Sequence, residues 1–313
     1  MRGVLFALIP GLLLRVIDLG PGPLLGVLTG ILSALLFEGL FMMLRQRPLR
    51  PSLGDGSAAL TGALIGLSIS PLSPWWVVTL ASGFAIVFGK QLYGGLGHNP
   101  FNPAMVGYTA VLISFPSYTT NWPLPVSDWP STWGFMPAIT AFFQGLGAAD
   151  LDAIVGATPL GQQHDRLHGV ETLRPVGSTQ YMENIGFLLG GGILAYRRAI
   201  DLRISLGFLL SLFGGAAIMG LGNGPTLLSP WAELFAGSTM LGAFFIVTDP
   251  VSAPISPLGR WLHGAGIGAI AVLIRLLGSY PDGTAFAVLI MNFIAPTLDH
   301  LALRLKGMRG NQA

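Results

Sequence analysis

Ten apolar stretches run through this chain, at about residues 4–19, 24–44, 55–71, 74–89, 103–116, 183–196, 203–221, 233–248, 260–278 and 283–303. A helix that crosses a bilayer core needs roughly 17–25 such residues. Backbone polar groups inside a bilayer must be satisfied by the chain itself rather than by water, as continuous apolar stretches of this length do by forming helices. Composition agrees: 52% of the 313 residues are hydrophobic and 10% are charged, against roughly 25% charged in soluble domains. A net charge of +2 with no long basic run offers nothing to hold a nucleic acid. The absence of cysteine excludes disulfides, thiolate metal sites, iron–sulfur ligation and Cys nucleophiles from this chain. The expected fold class is an all-α membrane protein with about ten transmembrane helices.

Lysine and arginine set the expected orientation. With a cytoplasmic N-terminus and ten spans, 12 basic residues fall on the cytoplasmic side and 4 on the other. Lys90 is counted as a cytoplasmic loop charge; Arg15 and Arg275 lie near outer helix ends. Both termini are then cytoplasmic. Three regions follow: a first transmembrane half at 1–116, a long outer-face loop at 117–182, and a second transmembrane half at 183–313. Five spans per half would set the halves in inverted orientation. Gly-rich crossings at Gly190–Gly192 and Gly214–Gly215 would let helices pack closely.

Three runs carry chemical signals. The first is KQLYGGLGHNPFNPA, Lys90–Ala104. Its tandem Asn-Pro pairs and clustered glycines fit either a re-entrant loop at an ion or cofactor site or a tight turn between short helices. The second is GSTMLGAFFIVTDPV, Gly237–Val251, where Asp249 either caps a turn or binds a ligand at a helix break. The third is DAIVGATPL, Asp152–Leu160, in the outer loop. There Thr158 presents a hydroxyl, as a modification acceptor or simply as part of a turn.

Together with YPDGTAFAVLIMN at Tyr280–Asn292, these runs closely resemble the D subunits of Rnf electron-transport complexes. They more distantly resemble the B subunits of the sodium-pumping NADH:quinone oxidoreductase. The resemblance extends from the first span to the last. It implies a subunit of an ion-translocating oxidoreductase in the bacterial inner membrane, not an independent catalyst, working beside iron–sulfur and flavin subunits. It further implies covalent FMN, joined as a phosphoester to a threonine on the periplasmic side. The acceptor motif falls on Asp152, Gly156, Ala157 and Thr158, with Thr158 as the bonded residue; Val155 stands where a hydroxyl residue is usual. Glu233 and Thr239 repeat the acid-to-Thr spacing, but at the mouth of a span, where a modifying enzyme has poor access.

Arg166 and Arg174, in the same loop, are candidate donors to the FMN phosphate, with solvated loop charges as the alternative. A second, non-covalent flavin such as riboflavin, near Lys90–Asn102, is suggested by the likeness to the B subunits. Glu38 is the clearest candidate for an ion path, because an ionisable group inside a span is costly. Glu183 and Glu233 suit helix N-termini electrostatically, and Arg15 suits a snorkelling role. Arg15 and Glu38 lie at different depths and are not paired. The histidines show no metal-ligand spacing on one helix face. The rival reading is a solute channel or transporter on a urea-transporter-like scaffold, without redox chemistry.

Overall fold

The computed structural model describes residues 1–145, 147, 153–169, 180–223 and 228–310. Asp152 and Arg174 lie outside the described residues. A helical segment forms on each of the ten apolar stretches. In the first half these are α1 (Arg2–Leu19), α2 (Gly22–Leu44), α3 (Ser57–Ser68), α4 (Trp75–Phe84) and α5 (Pro103–Ser114). The outer loop contributes α6 (Phe135–Gln144), α7 (Pro159–Leu167) and a two-stranded ribbon, β1 (Trp122–Pro123) with β2 (Val155–Gly156). The second half has α8 (Gln180–Tyr196), α9 (Leu202–Asn223), the short α10 (Pro230–Leu234), α11 (Thr239–Leu241), α12 (Pro257–Leu277) and α13 (Thr284–Gly310).

Among the described residues, five helices are long and apolar enough to cross a membrane: Gly22–Leu44, Trp75–Tyr93, Leu202–Leu221, Pro257–Leu277 and Thr284–Lys306. α3 and α5 have 12 residues each, or about 18 Å of helix, well short of a roughly 30 Å hydrocarbon core. Proline placed just inside a capped first turn sets several starts. Asn102-Pro103, Thr158-Pro159, Ser229-Pro230 and Ser256-Pro257 each supply a side-chain N-cap followed by Pro at the first helical position. The motif needs no backbone N–H at that position, and the cap satisfies one that follows.

α2 shows how the bundle is sorted. Leu24, Leu28, Leu32, Leu36 and Leu40 form an exposed stripe at four-residue spacing, and Gly26, Gly30 and Ala34 are buried on another face. The leucine stripe is the lipid face; the small residues meet α3. A Cβ on Gly62 of α3 would collide with the Gly30 carbonyl, and one on Gly30 with that of Gly62. Gly62→Leu is therefore expected to force α2 and α3 apart and cost about 1–3 kcal/mol, read as a lowered melting temperature in detergent. Of the glycines in the Gly-rich crossings, Gly190 lies against the Ala7 carbonyl and Gly215 against Val272, whereas Gly192 and Gly214 meet nothing nearby.

Both halves contain a widened π turn. Ala85–Lys90 prolongs α4 and Gly242–Ile246 prolongs α11. Such turns leave helical carbonyls without their usual partners and often mark functional positions.

Candidate functional site: a cavity beneath Thr158 and its buried ion clusters

Thr158 is the N-cap of α7, and its Oγ1 accepts a hydrogen bond from Gly161 N at 3.0 Å. The residues before it are pinned: Val155 lies opposite Pro123 and Gly156 opposite Trp122 in the antiparallel ribbon. Thr158 is half-buried, not free in an open loop. Together with Ala157 and Gly161 it lines a cavity of about 250 Å³ that runs inward between α1, α5 and α8. Tyr108 and Met105 of α5 and Ile246 of the second π turn form part of its walls. A helix N-terminus favours an anion such as a phosphoester.

The cavity's basic side chain is Arg15. It is buried, with Nε 2.9 Å from Glu183 Oε2 and Nη1 donating to the Leu67 carbonyl. Its guanidinium stands 4.9 Å from the Trp122 ring centre. Arg15 is thus a buried partner of Glu183 and does not snorkel; Glu183 sits in the first turn of α8 as expected, but also carries this ion pair. Arg166 is exposed and does not line the cavity.

A second buried cluster adjoins the same end. Arg275 donates to Glu233 Oε2 at 2.6 Å, to Thr239 Oγ1 at 2.9 Å and to Asp282 Oδ1 at 3.3 Å. Thr239 is fully buried and donates to the Ala236 carbonyl at 2.7 Å, which removes it as an exposed acceptor. Asp282 accepts from Ser238 N and Oγ at 2.9 and 2.6 Å, and from Thr284 Oγ1 at 2.7 Å. Burial by itself would raise the Asp282 pKa, but the Arg275 charge and these hydrogen bonds outweigh it and hold the carboxyl at about 2. A folded value below the ordinary one stabilises the protein above the unfolded pKa, and that contribution is lost as pH falls through the folded value. Wild-type melting temperature is therefore expected to drop more steeply than that of Asp282→Asn between about pH 4 and pH 2, measured as paired melts.

The third cluster lies at the opposite end of the bundle. Lys90 Nζ donates to both Glu38 oxygens at 2.7 Å and to Ser57 Oγ at 2.7 Å, and Gln91 Nε2 donates to Glu38 at 3.1 Å. Lys90 is not the loop charge expected from the sequence. The π turn Ala85–Lys90 carries it inward, where both members of the pair are buried. Removing Lys90 from the basic count of one end, and the ion-paired Arg15 and Arg275 from that of the other, leaves the sense of the charge asymmetry unchanged.

The Arg275 and Lys90 clusters share part of a pattern. In each, a base at the end of the fourth apolar stretch of its half donates to a hydroxyl on the first residue of a short helix in the third stretch, and pairs with a carboxylate, which lies on the second stretch for Lys90 (Glu38) and at the start of the third for Arg275 (Glu233). Ser57 plays that part for Lys90 and Thr239 for Arg275. Between the halves stands Asn102. Its Oδ1 caps α5 by accepting from Ala104 N and Met105 N, and its Nδ2 donates to the Ile246 carbonyl at 3.1 Å. With its amide turned to accept, Asn292 takes the Asn102 N–H at 2.9 Å. Three of the runs singled out in the sequence therefore converge on one residue, through its side chain and its backbone N–H. Asp249, by contrast, accepts from Val251 N and Ser252 Oγ and serves as a turn cap.

Comparison with known proteins adds identity to this geometry. Residues 1–306 match the model of the NQR2, RnfD, RnfE family. The chain belongs to that family. It is 45% identical over 318 residues to the D subunit of the ion-translocating oxidoreductase complex of Yersinia enterocolitica, covering 95% of this chain and 90% of that protein. The corresponding D subunit of Shewanella amazonensis is 43% identical over 328 residues, covering 99% and 94%. That of Cronobacter sakazakii is 42% identical over 320 residues, covering 96% and 91%. The match spans both halves and the loop between them, so the all-α, multi-pass reading and the family resemblance both stand.

Proposed function

We propose that this chain is a membrane subunit of an ion-translocating electron-transport complex of the ferredoxin:NAD oxidoreductase type, carrying FMN as a phosphoester on Thr158. The observation that supports the reading best is the setting of that hydroxyl. Thr158 caps a helix at the edge of a cavity large enough for a fused-ring group, whereas the alternative acceptor, Thr239, is buried and hydrogen-bonded. Gly156 and Ala157 present little bulk on the approach, and the Gly161 amide points at the oxygen that would carry the phosphate. FMN supplies one- and two-electron chemistry when bound; the protein holds, orients and electrostatically tunes it. No general acid–base pair is needed here. The test is in-gel fluorescence of the denatured chain: a band that keeps its flavin through denaturation supports the linkage. A dark band returns the chain to the solute-channel reading.

Coupled Na⁺ or H⁺ movement is the companion reaction, with Glu38 on its path and Lys90 as the counter-charge an entering cation would replace. The iron–sulfur centres would belong to other subunits, since this chain has no cysteine, and those subunits would carry flavin as well. The basic asymmetry favours cytoplasmic termini and a periplasmic cavity in a bacterial inner membrane. The shared base-to-hydroxyl pattern of the two ion clusters favours two inverted halves. A non-covalent riboflavin near Lys90–Asn102 is part of the same reading; buried Asn99 Oδ1 lacks a hydrogen-bond partner there. Acid extraction tests it, and finding no released flavin removes it.

A further inference from the structure

The cavity beneath Thr158 has an electrostatic feature that covalent attachment alone does not require. Its described walls include one basic side chain, Arg15, paired with Glu183. Two further carboxylates are on the wall: Asp282, which has its own partner in Arg275, and Asp165, which lies 3.9 Å from His164 Nδ1. A buried ion pair is a poor way to hold two helices together, because apolar packing of the same volume is often as stable or more so. Elsewhere along the α1–α8 contact the chain uses such packing, with Gly11 seated against the Phe187 ring. The Arg15–Glu183 pair instead stands where α1 and α8 border the cavity, with Trp122 over the guanidinium.

We infer that the Arg15–Glu183 pair is a tuning element for the flavin, with Arg15 stabilising the electron density that reduction adds to the ring. The inference rests on the Thr158 reading and deepens it. In a site shielded from water, a fixed charge acts on its neighbours far more strongly than at an exposed surface. A positive charge on the wall makes the reduced form easier to reach; a negative charge makes it harder. Arg15 and Glu183 are thus positioning residues whose removal changes a potential, not the bond to Thr158.

The test is a spectroelectrochemical titration of the covalent flavin in the intact complex. Arg15→Gln is expected to move its midpoint potential to more negative values, Glu183→Gln to more positive values, and Arg15→Lys to leave it nearer the wild type. Shifts of opposite sign are the signature, because general loosening of the fold would not produce them. Should Arg15→Gln fail to assemble, Glu183→Gln decides the matter alone: an unmoved or more negative potential overturns the inference. A wild-type chain without gel fluorescence overturns the flavin reading and this inference together. A fluorescent chain whose potential ignores both substitutions overturns this inference only.

Discussion

Lys90→Met is expected to destabilise the protein by about 3–5 kcal/mol, the usual result of removing one partner from a buried ion pair. The Glu38 carboxylate would keep its place under α3 with no counter-charge, and Ser57 Oγ would lose its donor. Glu38→Met should cost a similar amount by stranding the ammonium. The double variant is the informative one: with both charges gone and two apolar side chains of similar length in their place, most of the loss should be recovered. Thermal unfolding of the four proteins in one detergent gives the coupling directly. Independent losses that add in the double variant would mean that the 2.7 Å contacts contribute little. The same double variant separates stability from function. If Glu38 lies on the ion path, the repacked bundle should hold its shape and still fail to couple electron flow to cation movement.

Thr158→Ala is expected to abolish covalent flavin completely while leaving the chain folded. The substitution removes an N-cap, so α7 should weaken by about 0.5–2 kcal/mol, far less than loss of the bundle requires. In-gel fluorescence should vanish and intact mass should equal that of the bare polypeptide. Thr239→Ala should do the opposite. It keeps the label but loses stability, because Arg275 loses an acceptor in a buried cluster. A label that survives in Thr158→Ala and disappears in Thr239→Ala would exchange the two assignments.

Much of this arrangement is legible in the residues. Each of the ten apolar stretches carries a helical segment, since length and hydropathy are what a bilayer selects. The Asn102-Pro103 and Thr158-Pro159 pairs read as helix starts because cap and proline act locally. What escapes a linear reading is pairing at a distance. Lys90 resembles a loop cation, because nothing in its neighbours announces the π turn that swings it onto Glu38, 52 residues away. Arg15 resembles a snorkelling residue until α8 brings Glu183 beside it. Arg275 gives no hint in sequence of its three partners, Glu233, Thr239 and Asp282. One signal is present in the residues: each of these buried bases has a carboxylate inside or next to another apolar stretch. The cavity leaves no such trace, because its walls come from segments scattered between Arg15 and Ala285.

The most direct test is peptide mass spectrometry on the native complex. Trypsin should release a fragment ending at Arg166 that contains Thr158. This fragment is expected to carry FMN less one water, with fragmentation placing the addition on Thr158. An unmodified fragment from fully assembled, redox-active complex would contradict it.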